Sequence, residues 1–122
     1  MKWEERRVKW MVSTTTNDPY VAKKIAKEAI KGGFSPCVKI IPNVTSYYTE
    51  QQFGDIVESK EYVVNIKTLR INIKRLIRDI KKNHNYKIAE LIAYKIDINA
   101  TKNYDSDYDL WFSQNVIEHD GR

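Results

Sequence analysis

Residues 35–48 read SPCVKIIPNVTSYY and residues 61–68 read EYVVNIKT. Both stretches are rich in Val, Ile, Tyr and Thr, the residues that suit a pleated, half-buried surface. The polar stretch between them holds Gly54 and no sharp turn dipeptide. Together they predict one long antiparallel hairpin with a wide loop around residues 50–54. Pro42 cannot donate to a strand ladder, so it marks an edge position, a bulge or a bend in the first arm.

Upstream of the hairpin, residues 7–16 alternate Val8, Trp10, Val12 and Thr14 with Lys9, Met11, Ser13 and Thr15, the period of a strand. Trp3 either extends that strand or belongs to a loosely packed arm. Asp18 and Pro19 then make a helix start, with Asp18 as N-cap and Pro19 at the first helical position, where its missing N–H costs nothing. Ala22, Ile25, Ala26, Ala29 and Ile30 form one narrow apolar stripe, and Gly32-Gly33 ends the helix with one glycine free to turn left-handed. Downstream, Thr68 is placed to cap a second helix whose apolar face is Leu69, Ile73, Leu76, Ile77 and Ile80. A last strand is expected over residues 86–98, with Ile88, Ile92, Tyr94, Ile96 and Ile98 on one face and Glu90 interrupting it. A turn over residues 99–106 leads to a short helix capped by Asp105 or Ser106, carrying Tyr108, Trp111, Phe112 and Asn115. Residues 116–122 read as a mobile tail, and His119 within it is given no role.

The chain has 122 residues, a hydrophobic fraction of 42% and a charged fraction of 30%, which suit one globular domain over residues 1–122 with its core at about 8–117. No apolar run approaches the roughly 20 residues of a membrane span, and the first ten residues lack the apolar segment of a secretory signal. One cysteine makes no internal disulfide, which fits a reducing, cytoplasmic location. A net charge of +5 permits contact with nucleic acid or acidic surfaces. The one local excess, Lys74 to Lys82, reads as a solvated helix face rather than a nucleic-acid site. No Gly-rich phosphate loop, HExxH or Ser-His-Asp set appears, which argues against an enzyme. Neither central strand carries the aromatic motif of RNA-binding sheets.

The order strand, helix, strand, strand, helix, strand, plus a C-terminal helix, predicts an α+β ferredoxin-like β-α-β-β-α-β sandwich with both main helices on one sheet face. The other face then needs cover, and self-association supplies it. The residues themselves look familiar. Cys37 with Pro42, Ser46 and Tyr48, then Gly54, Lys67-Thr68, His84, Tyr86 and Glu90, resemble the pattern of the divalent-cation-tolerance family, CutA, over about residues 12–116, with the spacing held from Gly54 to Thr68 and about two extra residues in the hairpin loop near residues 50–52. The family pattern departs here at Phe53-Gly54-Asp55, where it has Trp-x-Gly-Lys, and at His84-Asn85-Tyr86-Lys87, where it has His-Pro-Tyr-Glu. Thr14 stands where some bacterial members carry a further cysteine. The resemblance implies a ferredoxin-like fold, a homotrimer whose long hairpins pair across subunits, and binding of copper or another divalent metal ion.

Cys37 and His84 are the metal candidates, since a thiolate and an imidazole suit copper or zinc. Each has an ordinary reading too: Cys37 as a small buried hydrophobe and His84 as the cap of a helix end. A second constellation comprises Tyr47, Tyr48, Lys67, Tyr86, Glu90 and Trp111. It reads either as a structural Lys67–Glu90 ion pair among tyrosines, which would satisfy a carboxylate on an apolar face, or as a polar intersubunit cleft for an anion or small metabolite. The latter matches the likeness of this fold and trimer to the nitrogen-regulatory PII signalling proteins, and would make the chain an interaction module acting on an unidentified protein partner.

Overall fold

The computed structural model describes residues 1–97 and 106–119. A single helical turn, α1 (Trp3–Arg6), precedes β1 (Lys9–Thr16), α2 (Pro19–Lys31), β2 (Val38–Thr49) and β3 (Ile56–Leu69). A 3-10 turn (Arg70–Asn72) leads into α3 (Ile73–Asn83), followed by β4 (Leu91–Lys95) and α4 (Ser106–Gln114). The four strands form one sheet in the order β2-β3-β1-β4, antiparallel at every junction. That order, with α2 and α3 as the two crossovers, is the ferredoxin-like arrangement. No helix among the described residues is long and apolar enough to cross a membrane.

Local chemistry explains most of these boundaries. Asp18 accepts hydrogen bonds from the backbone N–H groups of Tyr20 (2.8 Å) and Val21 (3.4 Å), satisfying donors that the first turn of α2 leaves open. Gly33 takes φ +74°, and a Cβ added there would meet Ile117 Cδ1 at 2.5 Å. It is glycine both for its backbone and for its neighbour. Pro42 sits in a bulge, where the β2–β3 register shifts between Ile41 and Val44 and Asn43 takes φ 60°. The hairpin closes at the Thr49–Ile56 pair, and its loop carries Phe53, 96% exposed, with φ 58°.

One sheet face is buried under α2 and α3. Val12 pairs with Ile66 and Ala93 in the ladder, and Val12, Val64 and Ile66 pack with Ala22, Ile25 and Ala29 of α2 and Ile73, Leu76 and Ile80 of α3. Small alanines let α2 lie close to the strands, and each large aliphatic side chain buried here is worth about 1.5–3 kcal/mol. The opposite face is only partly covered. Leu69, Phe112 and Val116 form a second cluster at one end, where α4 lies across the sheet. Beyond it Ile41, Ile92 and Tyr94 remain 46–50% exposed.

Several expectations are corrected. Trp3 does not extend β1: it stands 72% exposed in α1, a turn that buries no residue, with the Arg6 guanidinium 5.4 Å from its ring centroid, as a loosely packed arm would have it. Thr68 does not cap a helix: it is buried in β3, and its hydroxyl donates to the Phe34 carbonyl (2.7 Å). Leu69 is likewise a strand residue, so α3 starts four positions later. The last strand is Leu91–Lys95 rather than residues 86–98, and its core-facing side chains are Leu91 and Ala93. The face that Ile92 and Tyr94 share is the uncovered one. The start of the tail is not loose, because Ile117 N–H donates to the Gly33 carbonyl (2.8 Å) and His119 stacks on Phe34 at 4.3 Å. The turn expected up to residue 105, the strand end at Ile98 and a cap at Asp105 lie outside the described residues, while Ser106 is the first residue of α4.

Candidate functional site

His84 follows α3 directly and turns the chain across the open end of β1. Its Nδ1 accepts a hydrogen bond from the Tyr86 N–H (3.0 Å). Its Nε2 lies 2.9 Å from the Thr15 carbonyl and 3.2 Å from the Thr14 hydroxyl. A carbonyl only accepts, so Nε2 carries the proton and the ring is neutral. Burial lowers the His84 pKa, against a raising influence of the Thr15 carbonyl and the Glu61 carboxylate. Next to it, Asn85 accepts from the Thr16 hydroxyl (2.6 Å) and donates to Asn17 (2.9 Å).

Tyr86 completes this seam. Its hydroxyl donates to Glu61 Oε2 at 2.6 Å, and its ring lies 5.1 Å from that of His84. Glu61 is the first β3 residue past the last β1–β3 pair, Thr16–Tyr62, and is buried. A buried carboxylate needs a donor, and Tyr86 is that donor. Burial first, and then the Glu61 bond, push the Tyr86 hydroxyl well above its ordinary pKa, with Tyr48 adding a smaller repulsion. At neutral pH the phenol keeps its proton and the bond holds.

The lowered His84 pKa has a stability consequence. Between its folded pKa and the unfolded value of 6.5, the unfolded chain binds more protons than the folded one. Stability therefore falls as pH drops through about 6.5 and levels off below the folded pKa. Urea unfolding of the native protein and of His84→Gln, followed from pH 7.5 to 5, is expected to show their stability difference shrinking on acidification. A difference independent of pH contradicts it.

Cys37 lies elsewhere. It is half-buried, directly before Val38, and its N–H and carbonyl both bond the Ser35 hydroxyl (3.1 and 2.8 Å). Val38 pairs with Ile66, and Ile66 with Val12, so Cys37 lies two strands across from β1 and about four residues along from Thr15. At strand spacings of about 4.8 Å and 3.3 Å per residue, that separation is on the order of 15 Å. With both His84 nitrogens engaged, Cys37 and His84 do not fit a shared metal ion. Among the described residues no group of three or more His, Cys, Asp or Glu is placed to hold one.

The second constellation also divides. Lys67 and Glu90 do not pair, because β1 runs between β3 and β4 and Glu90 is exposed, one residue before β4. Lys67 Nζ instead donates to the Tyr108 hydroxyl (2.7 Å) of α4, 4.4 Å from that ring's centroid. Trp111 flanks Tyr108 at 5.7 Å. Tyr86 belongs to the seam at the end of β1, whereas Tyr48 pairs with Val57 in the hairpin and Tyr47 donates to Glu58 (2.6 Å) across it.

Sequence reasoning missed the residues that complete each half. Glu61 sits in a strand arm where nothing local marks it as buried. Lys9 is buried beneath α4, ion-paired with Asp109 and 5.1 Å from the Phe112 ring centroid. Burial, then Lys67 and Arg7, lower its pKa. An aligned pair of strand lysines was visible only once Lys67 and Met11 were known to face each other in the ladder.

Comparison with known proteins accords with this architecture. Residues 10–115 match the family model described as CutA1 divalent ion tolerance protein. The divalent-cation tolerance protein CutA of Thermus thermophilus is 33% identical over 86 residues, covering 70% of this chain and 82% of that protein. The mouse protein CutA is 34% identical over 77 residues, which cover 63% of this chain and 42% of the mouse protein. Among solved structures, Cut A1 of Thermus thermophilus superposes with a TM-score of 0.76 at 28% identity, over 89% of this chain and 99% of that one. CutA1 of Oryza sativa gives 0.80 at 25% identity, over 94% and 99%. The family match spans most of the chain, and the superpositions show the same fold. This chain belongs to the CutA1 divalent-ion-tolerance family.

Proposed function

We propose that the chain is a non-catalytic homotrimer that serves divalent-cation tolerance by binding rather than by turnover. The observation that carries self-association is the open sheet face, where Ile92 and Tyr94 of β4 at one edge and Ile41 of β2 at the other stand half-exposed. Apolar surface of that kind on a sheet is a seat for another chain. The family description supports the metal-related role. Copper or another divalent ion meets Cys37 as a separate thiolate donor, not a Cys37–His84 chelate, because both His84 nitrogens are committed to the fold.

The test is calorimetric titration with cuprous and cupric ions at neutral pH, run beside light scattering. The native protein is expected to scatter as three times the 14.4 kDa chain. Cys37→Ser is expected to lower metal affinity at least tenfold, while His84→Ala lowers the melting temperature and leaves metal affinity within twofold. Equal loss of affinity in both variants restores the chelate. A mass of one chain removes the trimer.

A second reading, a trimeric signalling module that takes a small anion at a subunit cleft, is favoured by one observation. Lys67 lies close enough to Lys9 to disfavour its charge, and Asp109 is the carboxylate set against Lys9. Anion binding that survives Cys37→Ser and is lost in Lys67→Gln would replace the metal reading with this one.

A further inference from the structure

The two main helices carry a charge pattern that neither shows alone. Lys23, Lys24, Lys27 and Lys31 recur along α2, and Lys74, Arg75, Arg78, Lys81 and Lys82 along α3. All nine are exposed. The only carboxylates on the two helices, Glu28 and Asp79, are half-buried and lie close enough to repel each other. The helical layer therefore holds +7 while the whole chain is +5, so the remainder of the chain is −2. Nearly half of the chain's 21 lysines and arginines stand on these two helices.

The fold makes one surface of these two rows. Each cationic row spans nine residues, about 12 Å end to end at the helical rise, and packed helices lie about 8–10 Å apart. Most of the apolar residues of both helices are spent in the core, and besides Tyr20 and Ile30 at the two ends of α2 the outer face is charged. Association through the open sheet face, on the other side of the strands, leaves this layer outward. We propose that the α2–α3 layer is a docking surface for the phosphate backbone of nucleic acid, held by charge and indifferent to sequence. Phosphate spacing along a duplex supplies many anions to such a patch at once. One exposed aromatic, Tyr20, stands at the start of the α2 row with Lys23 Nζ 6.0 Å from its ring centroid, and a single stacking platform beside nine cations makes charge rather than base reading the main term. A bilayer is disfavoured because peripheral helices bind one through an exposed apolar face, and here that face is buried.

The experiment is fluorescence anisotropy of a labelled duplex DNA of about 20 base pairs, repeated with a single strand and with phosphatidylserine vesicles. Binding to the duplex is expected at about 50 mM salt, with affinity falling about a hundredfold at about 200 mM if four phosphates are engaged. Lys27→Gln, Lys74→Gln and Arg78→Gln combined are expected to weaken binding at least tenfold. A charge-matched control combining Lys2→Gln, Lys60→Gln and Lys87→Gln, all exposed and outside α2 and α3, is expected to stay within twofold. Light scattering and thermal melting check that both triple variants keep mass and fold. No duplex binding at low salt, equal loss in both triple variants, or binding to vesicles alone overturns the proposal.

Discussion

Replacing Phe112 by alanine is expected to cost about 3–5 kcal/mol of stability and to detach α4 from the sheet. Phe112 is fully buried and is the only large aromatic at the centre of the cluster with Leu69, Val116 and Ile71. It also roofs two lysines, with Lys9 Nζ 5.1 Å and Lys67 Nζ 6.0 Å from its ring centroid. Removing the ring opens a cavity and admits water to the Lys9–Asp109 pair, whose attraction then falls toward that of a surface pair. Both losses act on the same helix. Hydrogen exchange is expected to show faster exchange across residues 106–114, with the amides of β1 and β3 still protected. Phe112→Leu, which keeps apolar volume, is expected to lose less than half as much. A uniform loss of protection through the sheet would mean that α4 is not a separately anchored element.

The second large effect is expected at Asn72. It is fully buried between the end of β3 and the start of α3, and its amide makes a two-way clamp on the chain after α4. Nδ2 donates to the Ile117 carbonyl (2.8 Å), and Oδ1 accepts from the His119 N–H (2.8 Å). Asn72→Ala leaves two partly buried backbone groups without their partners, and at about 0.5–1.5 kcal/mol for each lost hydrogen bond the expected cost is about 1–3 kcal/mol. Asn72→Asp keeps the acceptor and loses the donor, placing a carboxylate oxygen against the Ile117 carbonyl. It is expected to be at least as destabilising as alanine. Equilibrium urea unfolding of the two variants decides the matter, and an aspartate variant near native stability contradicts the clamp.

The parts of the fold that were legible in the sequence are those fixed by local chemistry. Asp18 before Pro19 announces a helix start, and the Asp18 carboxylate does cap it. Gly32-Gly33 announces a stop, and Gly33 does turn left-handed. Pro42 announces a break in a strand, and the bulge lies there. Each of these depends on residues within a few positions of one another. What stayed hidden depends on partners far along the chain. Residues 86–90 carry strand-like side chains, yet the chain spends them crossing the end of β1, held by His84 against Thr15 and Tyr86 against Glu61. Nothing within that segment reveals either partner.

The same distinction explains the candidate site. Lys67 and Glu90 were expected to pair as neighbours, but in a ferredoxin-like sheet the first strand separates the third from the last. His119, assigned no role, proves to be anchored by Phe34, Gly32 and Asn72, contacts that span 47 residues or more of sequence. Family spacing singled out Cys37 and His84 as members of a pattern. It did not reveal that His84 spends both nitrogens on the backbone.

The state of the His84 ring tests the account most directly, because the proposed route for metal depends on it. Nitrogen-15 NMR of the two imidazoles, recorded at neutral pH before and after addition of zinc or cuprous ions, reads protonation and metal bonding at each nitrogen. The account predicts a neutral His84 with the proton on Nε2 and Nδ1 as acceptor, unchanged by either ion. Movement of either His84 nitrogen to a metal-bound position, at metal concentrations that also occupy Cys37, would contradict it and make His84 a ligand.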